Sequence, residues 1–308
     1  MRVFTVRDLL SKINLKGTWR AEEPLAAHTT FRVGGPADAM IFPATIDDVR
    51  AVRDLARREG LPLFILGKGA NLLVADRGIR GLVINLTSLC GWSHSEDTLT
   101  CEAGVDVSAA AEAGRRGGFS CLEFLNAMPS TVGGAVFMNA RCYGAEIADV
   151  LVDATVLDEE NHERVVPFVK DQWAYKISPF QGKDWTIVRA RFRTRTADPA
   201  EVARVMETNA ADREAKGHFR LPCAGSVFKN NHDFGAPSGV LIDRVGLKGL
   251  RRGRALVSPW HANIIVNEGG ATAAEIRDLI GEVKERVATA LGFVLEEEVI
   301  YAGDWNVV

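Results

Sequence analysis

The sequence contains no long uninterrupted apolar stretch. No apolar run approaches the roughly 18 residues that a membrane-spanning helix needs. The segment from Met1 to Asp8 also lacks the apolar core, roughly 7–15 residues long, of a secretory signal peptide. We therefore expect no membrane partner and a cytoplasmic location.

Cysteine is sparse and irregularly placed. The five cysteines, at positions 90, 101, 121, 142 and 223, are odd in number and form no C-x-x-C pair. This spacing argues against a disulfide framework and against a thiolate metal site. The sequence also lacks the H-E-x-x-H zinc motif, so we expect a reduced protein with no bound metal.

The chain has little net charge. A formal charge of −3 over 308 residues gives no reason to expect nucleic acid or an anionic membrane as a partner. Hydrophobic residues make up 47% and charged residues 25%, as is usual for a globular enzyme, and the length allows two domains. Any recognition of anions must therefore be local.

Hydrophobic periodicity and turn residues predict a chain of the α+β class. The helix over residues 47–59 is predicted to turn Val49, Val52 and Leu55 inward and its arginines outward. The predicted helices cover residues 5–13 (capped by Thr5), 47–59, 107–116, 199–216, 240–245 and 272–291, and the predicted strands cover residues 30–33, 39–42, 63–66, 72–74, 81–86, 99–103, 152–157, 185–188 and 293–295.

The composition changes near residue 198, where a strand-rich stretch gives way to a helix with Pro199 in its first turn. We predict a first domain over residues 1–198 and a second over residues 199–298. Residues 299–308 are predicted to form a C-terminal strand or tail that returns towards the first domain.

The sharpest local signal is a glycine loop after the strand at 63–66, with the sequence Gly67-Lys68-Gly69-Ala70-Asn71-Leu72. Alternating glycines permit positive φ and bring backbone amides close to an anion, as a phosphate-binding nest requires. The loop is not a Rossmann fingerprint, because Leu72 occupies the third glycine position and a strand follows it. By itself the loop is either an anion cradle or a tight structural turn.

A second glycine loop lies about 60 residues further on. Pro129 sets its entry, Ser130 and Thr131 offer hydroxyl donors, and Gly133 with Gly134 allows a planar ligand or a pyrophosphate to touch the backbone. Two such loops in one predicted domain favour a single dinucleotide bound between two sub-lobes.

Together with Thr29 to Gly35 upstream, the two loops resemble the FAD-binding domain of vanillyl-alcohol-oxidase-type flavoproteins (the VAO/PCMH type). Four further blocks, at residues 139–144, 175–180, 224–230 and 295–299, occur in the order found in the UDP-N-acetylenolpyruvoylglucosamine reductases. The resemblance spans roughly residues 28 to 300. It implies a two-lobed FAD-binding domain with a smaller α+β substrate-binding domain, in a monomeric protein.

The resemblance also implies a reaction in peptidoglycan precursor synthesis, and hence in cell-wall biogenesis, cell shape and cell division. NADPH would reduce FAD, and flavin N5 would pass hydride to UDP-N-acetylglucosamine enolpyruvate to give UDP-N-acetylmuramate. The residues that match FAD contacts are Thr30, Gly67, Lys68, Gly69, Ala70, Asn71, Leu72, Pro129, Ser130, Thr131, Gly133, Gly134, Asn139 and Gly144.

Ser226 matches the proton-donating serine of the family. A hydroxyl is a poor acid in water, so it needs a preorganised polar site. Gly225 permits close approach of the backbone, and Lys229 and Asn230 are placed to share a helical face with Ser226. Taken alone, Ser226 would read as a helix N-cap, but the matching block reverses that preference.

Glu298 matches the catalytic glutamate, and the run Glu296–Glu298 leaves the register open. Such a carboxylate must be protonated or held by a cation or donor beside a developing enolate. Lys176 stands where the family usually has arginine, and lysine supplies a point charge without the bidentate fork. We expect it to stabilise the enolate; the alternatives are a solvated lysine and, for Glu298, a solvated strand-end charge.

Tyr175 is expected to help enclose the nucleotide sugar. His261 lies between apolar segments and is either a substrate contact or a buried core histidine. Ala70 replaces a common serine, and Ser130, Asn126 and Arg141 replace usual glycines, which bears on the detailed FAD contacts. The residues that match substrate contacts are Tyr175, Lys229, Asn230, Arg244, His261 and Asn263.

Two other functions remain open at this stage. An FAD-dependent alcohol or hydroxy-acid oxidase of the same fold would share the glycine loops but should lack the Ser226 block, and it would not need NADPH. A non-catalytic protein that binds flavin or a nucleotide sugar would show bound flavin without NADPH-dependent turnover.

Overall fold

The computed structural model describes residues 6–306 and has the predicted mixture of helices and strands. The helices are α1 (Val6–Leu10), α2 (Ile46–Glu59), α3 (Val107–Gly117), α4 (Val132–Phe137), α5 (Ile147–Val150), α6 (Pro199–Ala215), α7 (Ser238–Arg244) and α8 (Ala273–Leu291). The strands are β1 (Thr18–Pro24), β2 (Pro36–Phe42), β3 (Leu63–Leu66), β4 (Leu72–Val74), β5 (Ile79–Asn85), β6 (Trp92–Ser95), β7 (Thr98–Glu102), β8 (Phe119–Ser120), β9 (Arg141–Cys142), β10 (Ala145–Glu146), β11 (Leu151–Leu157), β12 (Glu163–Pro167), β13 (Thr186–Arg193), β14 (Arg195–Thr196), β15 (Arg251–Arg252), β16 (Ala255–Val257), β17 (Ile265–Asn267) and β18 (Ile300–Ala302).

The chain forms two compact units, each assembled from several separate segments of the sequence. Unit 1 comprises Met1–Ala21, Asp38–Lys68 and Gly81–Ala211, and unit 2 comprises Glu22–Ala37, Gly69–Arg80 and Asp212–Val308. Two short segments of the N-terminal half therefore belong with the C-terminal half. The first glycine loop changes unit between Lys68 and Gly69, which a change of composition along the chain cannot show.

Unit 1 contains a five-stranded antiparallel sheet of order β12-β11-β13-β7-β6. A four-stranded sheet has the order β1-β2-β5-β3, and β3 runs parallel to β5 with Leu66 opposite Asn85. Apolar residues of both sheets and of α2 share one hydrophobic core. Because Leu66 is buried and pairs with Asn85, the first glycine loop starts from a fixed strand end.

Helix α2 confirms the predicted apolar face but not the predicted outward arginines. Arg53 is buried. Its guanidinium donates to Asn161 Oδ1, Thr186 Oγ1 and the carbonyls of Asp158 and Asp184. A guanidinium can be buried when acceptors satisfy its N–H groups, and these acceptors come from more than 100 residues away in sequence.

Unit 2 is built on the three-stranded sheet β15-β16-β17 and the long helix α8, which share a second hydrophobic core. Helix α8 begins with a capping box between Thr272 and Glu275. The carboxylate of Asp76 accepts from the amides of Ala273 and Ala274 at 2.7 and 3.0 Å. The turn that follows β4 is therefore fastened to the start of α8.

Three sequence predictions need correction or fall outside the description. Residues 30–33 form a turn and an irregular segment instead of a strand, because Arg32 has φ +55°. Residues 293–295 are also not a strand, and the C-terminal strand is β18, which pairs in parallel with β4 inside unit 2. The proposed cap Thr5 lies outside the described residues. Within residues 6–306, no helix is long and apolar enough to cross a membrane.

Candidate active site

Within unit 1, Gly67 and Lys68 of the first glycine loop lie beside the second loop. A Cβ on Gly67 would lie 2.5 Å from Thr131 Oγ1, so only glycine permits this approach. Asp106 joins the loops, because its carboxylate pairs with the Lys68 ammonium and its backbone forms a bridge with Thr131. The same carboxylate caps α3 by accepting from the amides of Ser108 and Ala109. Asp106 therefore links Lys68 of the first loop with Thr131 of the second.

The first loop offers a run of backbone donors. None of the residues within 6–306 accepts a hydrogen bond from the amides of Gly67, Lys68, Gly69 or Ala70. Gly69 has φ +60°, and its own carbonyl accepts from the Thr30 amide at 3.3 Å. Consecutive amides around a left-handed residue form an anion-binding concavity. The loop therefore fits the pyrophosphate of a dinucleotide, and Thr30 supports it.

The second loop is used differently. The amides of Val132 and Gly133 already donate to Val105 and Ala103 carbonyls at 2.8 Å, and the Gly134 amide faces Thr131 Oγ1 at 3.3 Å. A Cβ on Gly133 would lie 2.8 Å from the Ala103 side chain. Gly133 is therefore required for packing of α4 against the strand end.

The remaining residues that match FAD contacts each have different neighbours in the structure. Pro129 is exposed, and Ser130 Oγ donates to the Thr131 carbonyl at 3.1 Å. Gly144 has φ +81° with open space around it, so its backbone conformation explains the glycine. Leu72 begins β4, where it pairs with Ile300.

Asn139 is buried and engaged by the protein itself. Its side chain donates to the Ala174 carbonyl at 2.9 Å and accepts from the Ala148 amide at 3.1 Å. These contacts make Asn139 a support for the segment that begins at Ala174.

Ala174, the residue that Asn139 contacts, begins a tight turn with Tyr175 and Lys176 at its apex. Ala174 and Ile177 exchange two backbone hydrogen bonds of 3.2 and 2.9 Å across it. Lys176 has φ +61°, an uncommon conformation for a non-glycine residue. Gln181 holds this conformation by donating to the Lys176 carbonyl at 3.0 Å.

Ser226 lies in an extended segment and not on a helix, so the shared helical face predicted for Lys229 and Asn230 is wrong, as is the N-cap alternative. Ser226 forms an antiparallel bridge with Ile264, and the Val227 amide donates to the Asn263 carbonyl at 2.8 Å. Gly225, at φ +73°, turns the chain away from helical geometry. The Ser226 segment therefore pairs in a hairpin-like way instead of forming the predicted helix.

The glutamate run lies alongside the Ser226 segment within unit 2. The Glu298 amide donates to the Val227 carbonyl at 2.7 Å, and the Lys229 amide donates to the Glu296 carbonyl at 2.9 Å. Asn71, from the first glycine loop, donates through Nδ2 to the Glu298 carbonyl at 2.9 Å. A chain of hydrogen bonds therefore joins the loop, Glu298 and the residue next to Ser226.

The other two glutamates of the run have lysine partners. Glu296 pairs with Lys229, and Glu297 pairs with Lys284 at 2.7 Å. Burial, together with the neighbouring Glu297, raises the pKa of Tyr301.

Several residues predicted to contact substrate have structural contacts. Asn263 is buried and clamps the backbone of Phe228 through both ends of its amide, at 2.9 and 2.8 Å. Asn230 Oδ1 accepts from the Ser238 amide at 2.9 Å at the start of α7. Arg244, at the end of α7, is exposed.

His261 is half-buried and bonded to its own chain segment. Its Nδ1 accepts from the Asn263 amide at 3.2 Å, and burial lowers the pKa of His261, which favours the neutral ring. Among residues 6–306, no cluster of three or more histidine, cysteine, aspartate or glutamate side chains is placed to hold a metal ion.

Two residues of the site were missed in the sequence. Asp106 could have been found as the N-cap before the predicted helix at 107, although its pairing with Lys68 depends on tertiary structure. Arg141 was named only for its bearing on the FAD contacts, whereas the structure places its guanidinium 6.0 Å from the Tyr175 ring centroid.

A half-buried histidine near the candidate substrate residues predicts a pH effect on stability. Burial, then the charge of Arg213, lowers the pKa of His218 from 6.5 to about 4. Because the unfolded chain binds the extra proton between those two values, stability is complete above pH 6.5 and falls as the pH drops towards 4. The loss attributable to His218 should reach at most about 3.5 kcal/mol, since one pKa unit corresponds to about 1.4 kcal/mol.

Urea unfolding at pH 8 and pH 5 measures this effect. His218→Gln should lose less stability than the wild type between the two pH values. His162→Gln is the matched control, because that side chain is 73% exposed. Equal pH dependence of the wild type and His218→Gln would contradict the assignment.

The chain is similar to known proteins over most of its length. A family model for the FAD binding domain matches residues 37–165, and a model for the UDP-N-acetylenolpyruvoylglucosamine reductase C-terminal domain matches residues 217–302. A reductase of that name from Treponema denticola is 37% identical, with 94% of this chain and 95% of the relative covered. One from Heliobacterium modesticaldum is 38% identical, with 94% and 93% covered.

Solved structures agree as well. The crystal structure of UDP-N-acetylenolpyruvylglucosamine reductase from Thermus caldophilus covers 94% of this chain and 99% of its own, with 31% identity and a TM-score of 0.77. A variant of Phl p 4, described as a glucose oxidase, covers 64% of this chain and 45% of its own at 14% identity and a TM-score of 0.51, which shows the fold alone.

The fold and the FAD-binding domain define a flavin-dependent oxidoreductase, and the predicted α+β architecture with a VAO/PCMH-type flavin domain is confirmed. The chain belongs to the UDP-N-acetylenolpyruvoylglucosamine reductase family, as the order of the sequence blocks predicted.

Proposed function

We propose that this protein uses NADPH and bound FAD to reduce UDP-N-acetylglucosamine enolpyruvate to UDP-N-acetylmuramate, a step of peptidoglycan precursor synthesis. The observation that carries the proposal is the hydrogen-bonded connection from Asn71 of the glycine loop to Glu298, and from Glu298 to Val227 beside Ser226. It links the loop suited to the cofactor with the two residues suited to proton transfer.

The amides of Gly67 to Ala70 would hold the FAD pyrophosphate, with the Lys68 ammonium, paired to Asp106, as an adjacent positive charge. When bound, FAD would supply the hydride that saturates the enolpyruvyl double bond. The protein's own task is then to orient the substrate, stabilise the negative charge that develops on its carboxylate, and deliver one proton.

Ser226 would deliver that proton to the substrate carbon from Oγ. Its segment is fixed on one side by Ile264 and Asn263 and on the other by Glu298, so the hydroxyl is held on a rigid support. Glu298 would assist from the neighbouring segment. In unit 1, Lys176 would supply positive charge towards the enolate from a turn that Gln181 holds in place.

The test is the visible absorbance of the purified holoprotein under anaerobic conditions. NADPH should bleach the flavin spectrum, and UDP-N-acetylglucosamine enolpyruvate should restore it in one turnover. Bleaching by NADPH without reoxidation by the enolpyruvyl sugar would refute the proposed substrate. Reduction by an alcohol or a hydroxy acid in place of NADPH would establish the oxidase instead, and bound flavin that neither reductant bleaches would indicate a binding protein.

A further inference from the structure

Arg141 and Lys176 converge on one aromatic ring. The Arg141 guanidinium carbon lies 6.0 Å and the Lys176 ammonium nitrogen 5.7 Å from the centroid of Tyr175. The two cations are therefore separated by no more than the sum of these distances. Two positive charges beside one ring favour the binding of an anion there.

Buried contacts hold this pair of cations in place. Lys176 occupies its left-handed conformation because Gln181 donates to its carbonyl, and Gln181 also donates to the Phe137 carbonyl at 2.9 Å. Asn139, fully buried, fastens the start of the same turn and lies two residues before Arg141. The connection from Asn139 therefore positions both cationic residues relative to Tyr175.

The Arg141 guanidinium is available to a ligand. Its side chain is 43% exposed, and its ion pair with Glu146 is long, at 3.9 Å. A guanidinium binds a carboxylate through two parallel hydrogen bonds, which an ammonium cannot do. Lys176 lacks that fork, and Arg141 supplies one beside the same ring.

We infer that Arg141 and Lys176 together bind the enolpyruvyl carboxylate of the substrate, with Arg141 providing the bidentate contact and Lys176 the additional charge. This inference rests on the proposed function, because it assigns the carboxylate-recognition residues of that reaction. It makes Arg141, at a position where the family usually has glycine, a specificity-determining residue of this chain.

The test measures ligand binding to the oxidised holoenzyme by calorimetry, without NADPH, so that no turnover occurs. Arg141→Gln should weaken binding of UDP-N-acetylglucosamine enolpyruvate at least about tenfold, as expected for loss of a charged bidentate contact. Binding of UDP-N-acetylglucosamine, which lacks the carboxylate, should be unchanged. The flavin spectrum of the variant confirms that the protein is folded and loaded.

Arg164 provides the matched control. Its guanidinium lies 5.1 Å from the Trp185 ring centroid, and the Lys183 ammonium lies 3.8 Å from the same centroid. Arg164→Gln thus removes an arginine from a similar arrangement and should leave both affinities unchanged.

A swap decides whether the guanidinium itself matters. Arg141→Gly should lose affinity for the enolpyruvyl sugar, and adding Lys176→Arg to that variant should restore most of it. Unchanged affinity in Arg141→Gln, or equal weakening for both ligands, would overturn the inference while wild-type reoxidation by the enolpyruvyl sugar leaves the proposed function intact. Absence of that reoxidation in the wild type would instead refute the proposed function, and the inference with it.

Discussion

Ser226→Ala is expected to slow reoxidation of the reduced flavin by UDP-N-acetylglucosamine enolpyruvate by about 10²–10⁴-fold, the usual contribution of a positioned general acid. The proposed proton donor is the Ser226 hydroxyl, and alanine removes it without disturbing the backbone bridge to Ile264. Stopped-flow absorbance, with holoenzyme reduced beforehand and then mixed with the sugar, measures this step separately. Reduction by NADPH should proceed at the wild-type rate.

Two further variants serve as comparisons for Ser226→Ala. Ser226→Cys keeps an ionisable donor at the same position and should retain an intermediate rate. Ser95→Ala removes a hydroxyl from the exposed strand β6 and should change neither half-reaction. If Ser226→Ala reoxidises as fast as the wild type, Ser226 is not the proton donor.

Gly69→Ala is expected to weaken FAD binding strongly and to destabilise the protein by about 2–4 kcal/mol. The added Cβ would lie 2.4 Å from the His28 carbonyl oxygen and 2.9 Å from Thr29 Cα, at a φ of +60°. Both obstacles are backbone, so the loop itself must move, and its run of donor amides moves with it. Urea unfolding and titration with FAD measure the two effects.

Gly182→Ala separates the steric effect from the conformational one. Gly182 also has positive φ, at +75°, but a Cβ there would meet nothing within 4 Å. It should therefore cost only the left-handed conformation, about 1–2 kcal/mol, and leave FAD affinity unchanged. Equal effects of the two substitutions would show that the close approach of Gly69 to His28 is unimportant.

Much of the local structure could be predicted from the sequence. Strand β3 and helix α2 have the predicted positions to within a residue or so, because apolar spacing and the flanking Thr45 and Gly60 caps act over a few neighbouring residues. The predictions of strands at 30–33 and 293–295 were wrong, because local apolar spacing does not show whether a segment pairs with another. Both segments have apolar residues suited to a strand, but neither finds a partner strand in the fold.

The family, the two glycine loops and the residue types available for chemistry can be read from the order of residues along the chain. Tertiary structure alone decided which of those residues meet. Asn71 reaches Glu298 across 227 positions, and Arg141 comes to the Tyr175 ring from a separate element. It also assigned Asn139 and Asn263 to supporting the backbone, because a side-chain amide binds whichever buried groups the packed chain places beside it.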